Sequence, residues 1–127
     1  MAETGLKLRT AAPSGDWRSF LVVAPSGGVT KGQMDLIHDT VGVYAQDADA
    51  GEEVAFIYHA EKIVVPKHHA TAGPAFDAGD KVFFDHPNAE VNTTAGGYYL
   101  CGIALVAAAA LDTEVKIDLD GAAVTAV

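Results

Sequence analysis

Short apolar segments recur at close, fairly regular spacing along the chain, with Gly, Pro or Asp between them. Phe20–Ala24, Val41–Ala45, Val54–Tyr58, Lys62–Val65, Val82–Phe84, Val91–Thr94, Tyr98–Ala107 and Val115–Leu119 each read as a strand. No helical pattern extends past two turns. About eight such strands joined by turn residues predict an all-β fold, a small barrel or sandwich. Length agrees with one core: 127 residues suit a single domain. The expected organisation is an irregular N-terminal arm over residues 1–19, followed by one β domain over 20–127.

Individual strands differ in how many faces they bury. Val115, Ile117 and Leu119 alternate with Lys116, Asp118 and Asp120, the pattern of a strand with one wet face. Val54, Phe56 and Tyr58 oppose Ala55 and Ile57, so that strand needs cover on both sides. So does Ala78–Asp85. There Gly79 is suited to a tight turn, and Asp80 to bonding the backbone beyond it. Val82 and Phe84 then point one way and Phe83 the other. His59-Ala60 is expected to form a tight turn, and Pro66 to stop the strand after it. In Tyr98–Ala107, period two places Tyr99, Cys101, Ile103 and Leu105 together. Ala107–Ala110 forms either a helical turn or a loop.

Charge excludes some functions. Asp and Glu number 17 against 8 Lys and Arg, a net charge of -9. Such a surface repels phosphates and anionic lipid, so neither nucleic acid nor membrane is an expected partner. The longest apolar run, Ile103–Leu111, is too short to span a bilayer. Met1–Thr10 is polar and has no signal-peptide apolar run, so synthesis in a cytoplasm is expected. Three of the basic residues, Lys7, Arg9 and Arg18, lie in the arm with Trp17, the only tryptophan. An exposed Trp beside Arg can anchor a partner; Trp17 can equally fold back on its own domain.

No chemical motif survives inspection. In Gly27–Gly32 the lysine precedes the last glycine, the wrong order for a phosphate loop. Asp47, Asp49 and Gly51 resemble the start of a calcium loop, but the twelfth position is Tyr58 and no helices flank it. The five histidines, His38, His59, His68, His69 and His86, lack metal-site spacing and read as surface loop residues. Cys101 sits in an apolar run and reads as a small buried hydrophobe. None of the three serines stands in a nucleophile elbow. The expectation is a chain that is not an enzyme and uses no cofactor or metal. One alternative is a small β-sandwich module for carbohydrate or calcium, with Asp47, Asp49, Tyr98 and Tyr99 as contacts.

The order of the pieces carries more. Ile63-Val64-Val65-Pro66-Lys67 is followed by Ala78-Gly79-Asp80-Lys81-Val82-Phe83-Phe84-Asp85. Then come Cys101-Gly102-Ile103-Ala104 with an Ala run, and Val115–Gly121. Over Phe20–Ala122 this order resembles the small phage capsid cement, or head decoration, proteins. That family shows Leu-Pro-Lys, Ala-Gly-Asp-x-Val-Tyr-Trp-Asp, Ile-Gly-x-Ala-x-x-Ala-Ala and closing Val-x-Val-x-Leu elements. This chain departs at Val65, at Phe83-Phe84 and at Cys101. The resemblance implies a non-enzymatic virion protein, made in a bacterial host. Such a protein binds the outer surface of an icosahedral capsid at symmetry axes and stiffens it against internal DNA pressure. Implied partners are the major capsid protein and further copies of itself, as a dimer or trimer. Within that frame Arg9, Trp17, Arg18 and Phe83 are expected at a capsid or subunit interface. Val82 and Phe84 are expected in the subunit's own core, with Phe83 packed by a loop or a neighbour.

Overall fold

The computed structural model describes residues 14–71, 73–94, 97–122 and 124–125. These form eight strands and no helix: β1 (Ser14–Val23), β2 (Met34–Ile37), β3 (Thr40–Tyr44), β4 (Glu53–Pro66), β5 (Lys81–Asp85), β6 (Glu90–Asn92), β7 (Tyr99–Ala104) and β8 (Glu114–Asp120). The expected all-β fold is a nearly closed antiparallel barrel. Its strand order is β2-β3-β4-β8-β7-β5-β6, and β1 pairs with β4.

The 14-residue β4 is the spine. Both β1 and β3 pair with Phe56 and Ile57, so they occupy opposite edges. Beyond Tyr58, β8 takes over the edge that β3 leaves, pairing from His59 to Pro66. Gly121 fills the fork between them. Its N–H donates to Tyr58 O (2.8 Å) and its carbonyl accepts from Val41 N (2.9 Å). A Cβ on Gly121 would run into Val41 O, so only glycine fits. The barrel closes where Lys67, just past β4, bridges Val91 of β6 in parallel and His68 N donates to Val91 O (2.9 Å).

This spine corrects two expectations. His59-Ala60 is not a turn: β4 runs straight through it, because β1 and β8 hold these residues by ladder bonds on both edges. The irregularity there is absorbed as register shifts instead, a bulge at Tyr58 against β1 and another between Ala60 and Ile63 against β8. The first strand is also longer than Phe20–Ala24. Ser14–Ser19, expected within the arm, pair with Ile57–Lys62 as the first half of β1.

Two apolar cores result. The barrel interior takes residues from β2 to β8, among them Met34, Val43, Ile57, Ile63, Phe84, Cys101 and Leu119. On the other face of β3 and β4, Tyr44, Val54 and Phe56 are covered by Ala24, Val29 and Ala48 from two loops. So β4 does bury both faces, as its alternation requires. The covering loops are joined by paired bonds between Val29 and Ala48 (2.9 and 3.1 Å). Asp47 Oδ1 accepts from Lys31 N (2.8 Å) and Glu52 Oε1 from Asp49 N (2.7 Å). The acidic loop thus uses one side chain on its own backbone, as turn residues do, and one on the loop beside it. Rings add to this core: Tyr44–Phe56 centroids lie 5.2 Å apart and Phe20–Phe56 5.6 Å. Each fully buried aromatic of this kind contributes about 2–3 kcal/mol.

Lys67 ties a loop to the barrel. It is only 1% exposed, and Nζ donates to His68 O (2.7 Å), Ala110 O (2.9 Å) and Asp112 O (3.2 Å). Three donors meet three carbonyls, so the ammonium is satisfied. Burial lowers its pKa, opposed by the charges of Asp112 and Glu90. The Ala107–Ala110 run held this way is not helical; Ala108 pairs with Phe76 as a bridge.

Candidate interaction surface

The outer face of β5, β7 and β8 departs most from simple alternation. Along β7 and β5, Val82 pairs with Gly102 but Phe83 pairs with Leu100, so Cys101 is an extra residue. This bulge shifts the phase of the strand. Tyr99, Cys101 and Ala104 face the barrel; Leu100 and Ile103 face outward, 41% and 43% exposed. Period two therefore misplaced Ile103, which it grouped with Tyr99 and Cys101. Without the bulge a large aliphatic would be inside and this face would be less apolar.

Those two side chains line an open groove of about 710 Å³ with His59, Lys81, Asp118 and Asp120. The register explains the company: Ile103 lies opposite Asp118 and Lys81, and His59 opposite Asp120. Directly opposed residues share a face. No ion pair among the described residues engages Asp118 or Asp120. His59 Nδ1 is buried and has no hydrogen-bond partner among them.

Val82 and Phe84 point into the barrel core, as expected, and Phe83 points outward between Leu100 and Asn92. Phe83 belongs to neither core, yet it is only 8% exposed within a single copy. Beside it Asp85 is 3% exposed and accepts from Asn88 Nδ2 (2.8 Å). The Asp85 charge is the chief reason Tyr98 is raised above the usual tyrosine range.

A second exposed apolar strip lies on β1. Leu21 and Val23 share one face, each exposed by more than three-fifths, and Phe20, on the other face against Phe56, is 38% exposed. Among the described residues β1 pairs only with β4, leaving its outer edge without a ladder. Trp17 and Arg18 are split by the strand's alternation. Trp17 sits opposite Ala60 and packs against the barrel core, so the fold-back reading holds for its ring; Arg18 is exposed opposite His59. Arg9 lies outside the described residues.

Other residues with chemical potential have structural partners. Burial pushes the Cys101 thiol up to about 12, far from a reactive thiolate. His68 Nδ1 meets Glu90 Oε2 at 2.7 Å, and His86 Nε2 meets Asp35 Oδ1 at 3.5 Å. Asp35 Oδ2 accepts from the Tyr44 hydroxyl at 2.6 Å; burial first, then this carboxylate, raise the tyrosine pKa. No three His, Cys, Asp or Glu side chains come together among the described residues. Asp47 and Asp49 lie in the β3–β4 loop and Tyr98 and Tyr99 at the start of β7, with β4 and β8 between them. The contacts imagined for a sugar or calcium module are not gathered into one place.

The two buried charges, Lys67 and Asp85, were missed as structural residues. Each ends a segment singled out in the sequence, but nothing local says that carbonyls or an amide will converge on it. No curated protein and no solved structure matches the chain. A family model described as phage cement protein matches residues 13–119, which take in β1 to β7 entire and β8 but for its last residue. With that match spanning nearly all of its strands and ordered motifs, the chain belongs to the phage cement protein family, a family of structural, capsid-associated virion proteins.

Proposed function

We propose that the protein binds the outer surface of an assembled icosahedral capsid as a homo-oligomer and stiffens the shell by bridging neighbouring capsid subunits. The observation that carries this reading is the pair of exposed apolar strips, on β1 and on β7, at separate places on one acidic domain. A bridging protein needs two contact surfaces, and exposed apolar residues gathered on adjoining positions mark such surfaces. Each contact can be modest, because many copies act together on one particle. The net charge of -9 suits a protein facing away from DNA.

In this reading Arg18 and the β1 strip meet the shell, and the arm with Arg9 reaches an adjacent subunit. Trp17 holds β1 on the barrel, and Phe83 lies beside Leu100 on the outer face. The major capsid protein and further copies of this chain are the partners, on the virion's outer surface after synthesis in the host bacterial cytoplasm. The test adds purified protein to shells that lack it, followed by cryo-microscopy and thermal rupture of the particles. Knobs at symmetry axes and a higher rupture temperature are expected. Bare shells that rupture unchanged refute the reading. Deleting Ala2–Ala12, which stops short of β1, is expected to lower occupancy while the strand spectrum stays intact. Unchanged occupancy removes the arm from the interface.

A further inference from the structure

We infer that the groove on β7 and β8 receives the N-terminal segment of a neighbouring copy, with Leu6–Arg9 as the inserted part. Four features of the groove describe its occupant. Its floor carries Leu100 and Ile103, both exposed. Its rim carries two carboxylates, Asp118 and Asp120, against one lysine, Lys81, and no ion pair among the described residues engages either carboxylate. His59 lines its wall, with its Nδ1 buried. It is open along its length rather than enclosed, so it suits a chain segment rather than a small molecule.

An occupant with alternating aliphatic and basic residues meets all of these. Leu6-Lys7-Leu8-Arg9 has that order, and it holds two of the chain's eight basic residues. In an extended segment Leu6 and Leu8 share one side and can lie on Leu100 and Ile103. Lys7 and Arg9 start on the other side, but their long stems can bend back so that the charged heads reach the rim carboxylates.

Strand direction points to another copy as the source. β1 runs antiparallel to β4, with Ser14 opposite Lys62 and Val23 opposite Glu53. Ser14, the first described residue, therefore lies toward the Pro66 end of β4. The groove lies at the other side of Lys62, where His59 faces Asp120. The described start of the chain is thus set off from its own copy's groove. From Ser14 to Leu8 an extended chain spans about 20 Å, enough to cross to an adjacent subunit. Such a head-to-tail contact is heterologous, and it closes into a ring where the rotation between copies completes a symmetry axis.

The inference concerns contacts between copies and is read on the free protein, so it stands or falls separately from shell binding. Full-length protein carrying a photo-crosslinking benzoylphenylalanine in place of Leu8 is mixed with a heavy-isotope copy and illuminated. Mass spectrometry then identifies the joined peptides. Mixed light–heavy links from position 8 to the Tyr99–Ala104 or Glu114–Asp120 segments are expected. The double variant Asp118→Lys/Asp120→Lys is expected to lose most of that link while keeping its strand spectrum. Adding Lys7→Glu/Arg9→Glu restores it by reversing both charges. Links within single copies only, links to another face, no link at all, or failure of the reversed pair to restore it each overturn the inference.

Discussion

Replacing Lys67 with methionine tests whether a buried cation contributes net stability to this barrel. The side chain keeps its length but loses three donors, now 2.7, 2.9 and 3.2 Å from carbonyls. Hydrogen bonds to a charged group contribute about 1.5–3 kcal/mol each, so the gross loss is about 5–9 kcal/mol. Against this, the variant no longer desolvates an ammonium, which costs several kcal/mol in a site only 1% exposed. Ala110 O and Asp112 O lie in a loop and can turn toward water. The balance is a destabilisation of about 3 kcal/mol, a fall in Tm of about 10 °C for a chain of this size. Thermal and urea unfolding by circular dichroism measure it. Hydrogen exchange adds the location: Phe76 and Ala108, whose N–H groups bond each other's carbonyls at 2.8 and 2.9 Å, are expected to exchange faster before Val115 and Ile117 do. A Tm within about 2 °C of the parent would refute the reasoning, because desolvation would then match the bonds. Faster exchange spread evenly over all strands would refute the idea of a local clip.

Phe84→Ser removes a fully buried ring from the barrel and adds a hydroxyl without a partner. At about 5 kcal/mol it is expected to abolish folding, seen as loss of the strand spectrum. Phe83→Ser is expected to fold, less stably by about 2 kcal/mol, and to lower shell occupancy; if both variants fold and assemble like the parent, the facing assignment is wrong. Above pH 9 the unfolded Cys101 thiol ionises while the folded one, pushed up to about 12, stays protonated. The unfolded state then binds fewer protons, so stability is lost as pH rises, by about 1.4 kcal/mol per unit from this group. Urea unfolding between pH 9 and 10.5 is expected to show a shallower pH slope for Cys101→Ala than for the parent, and equal slopes would contradict the burial. Gly121→Ala forces apart β3 and the end of β8 at their fork and is expected to lower Tm by about 10 °C or more; an unchanged melting curve would mean the fork can open at no cost.

Much of this architecture depends on local pattern alone. Alternation along Val54–Tyr58 and Val115–Asp120 is a property of extended backbone, so their faces follow from side-chain order. Both assignments agree with burial in the fold. Gly79 takes a φ of +94° in the expected turn. Asp80, however, reaches backward to Asp77 N (2.8 Å) rather than forward. Family membership was legible because ordered turn and strand motifs survive changes of individual residues.

Tertiary pairing decided what local pattern cannot encode. His59-Ala60 continues a strand because neighbours satisfy both of its edges, and a pentapeptide window does not contain those neighbours. Ser14–Ser19 joins β1 only because β4 is long enough to pair with it. The bulge at Cys101 arises from the mismatch of β7 against β5, and it turns Ile103 outward against its own alternation. Lys67 and Asp85 are buried because distant carbonyls and an amide converge on them. The sequence by itself determined which segments are extended and which family they compose. Where the strands slip against one another, and so which apolar residues are left outside for a partner, is settled only by the closed sheet, since register is a relation between strands and not a property of either one.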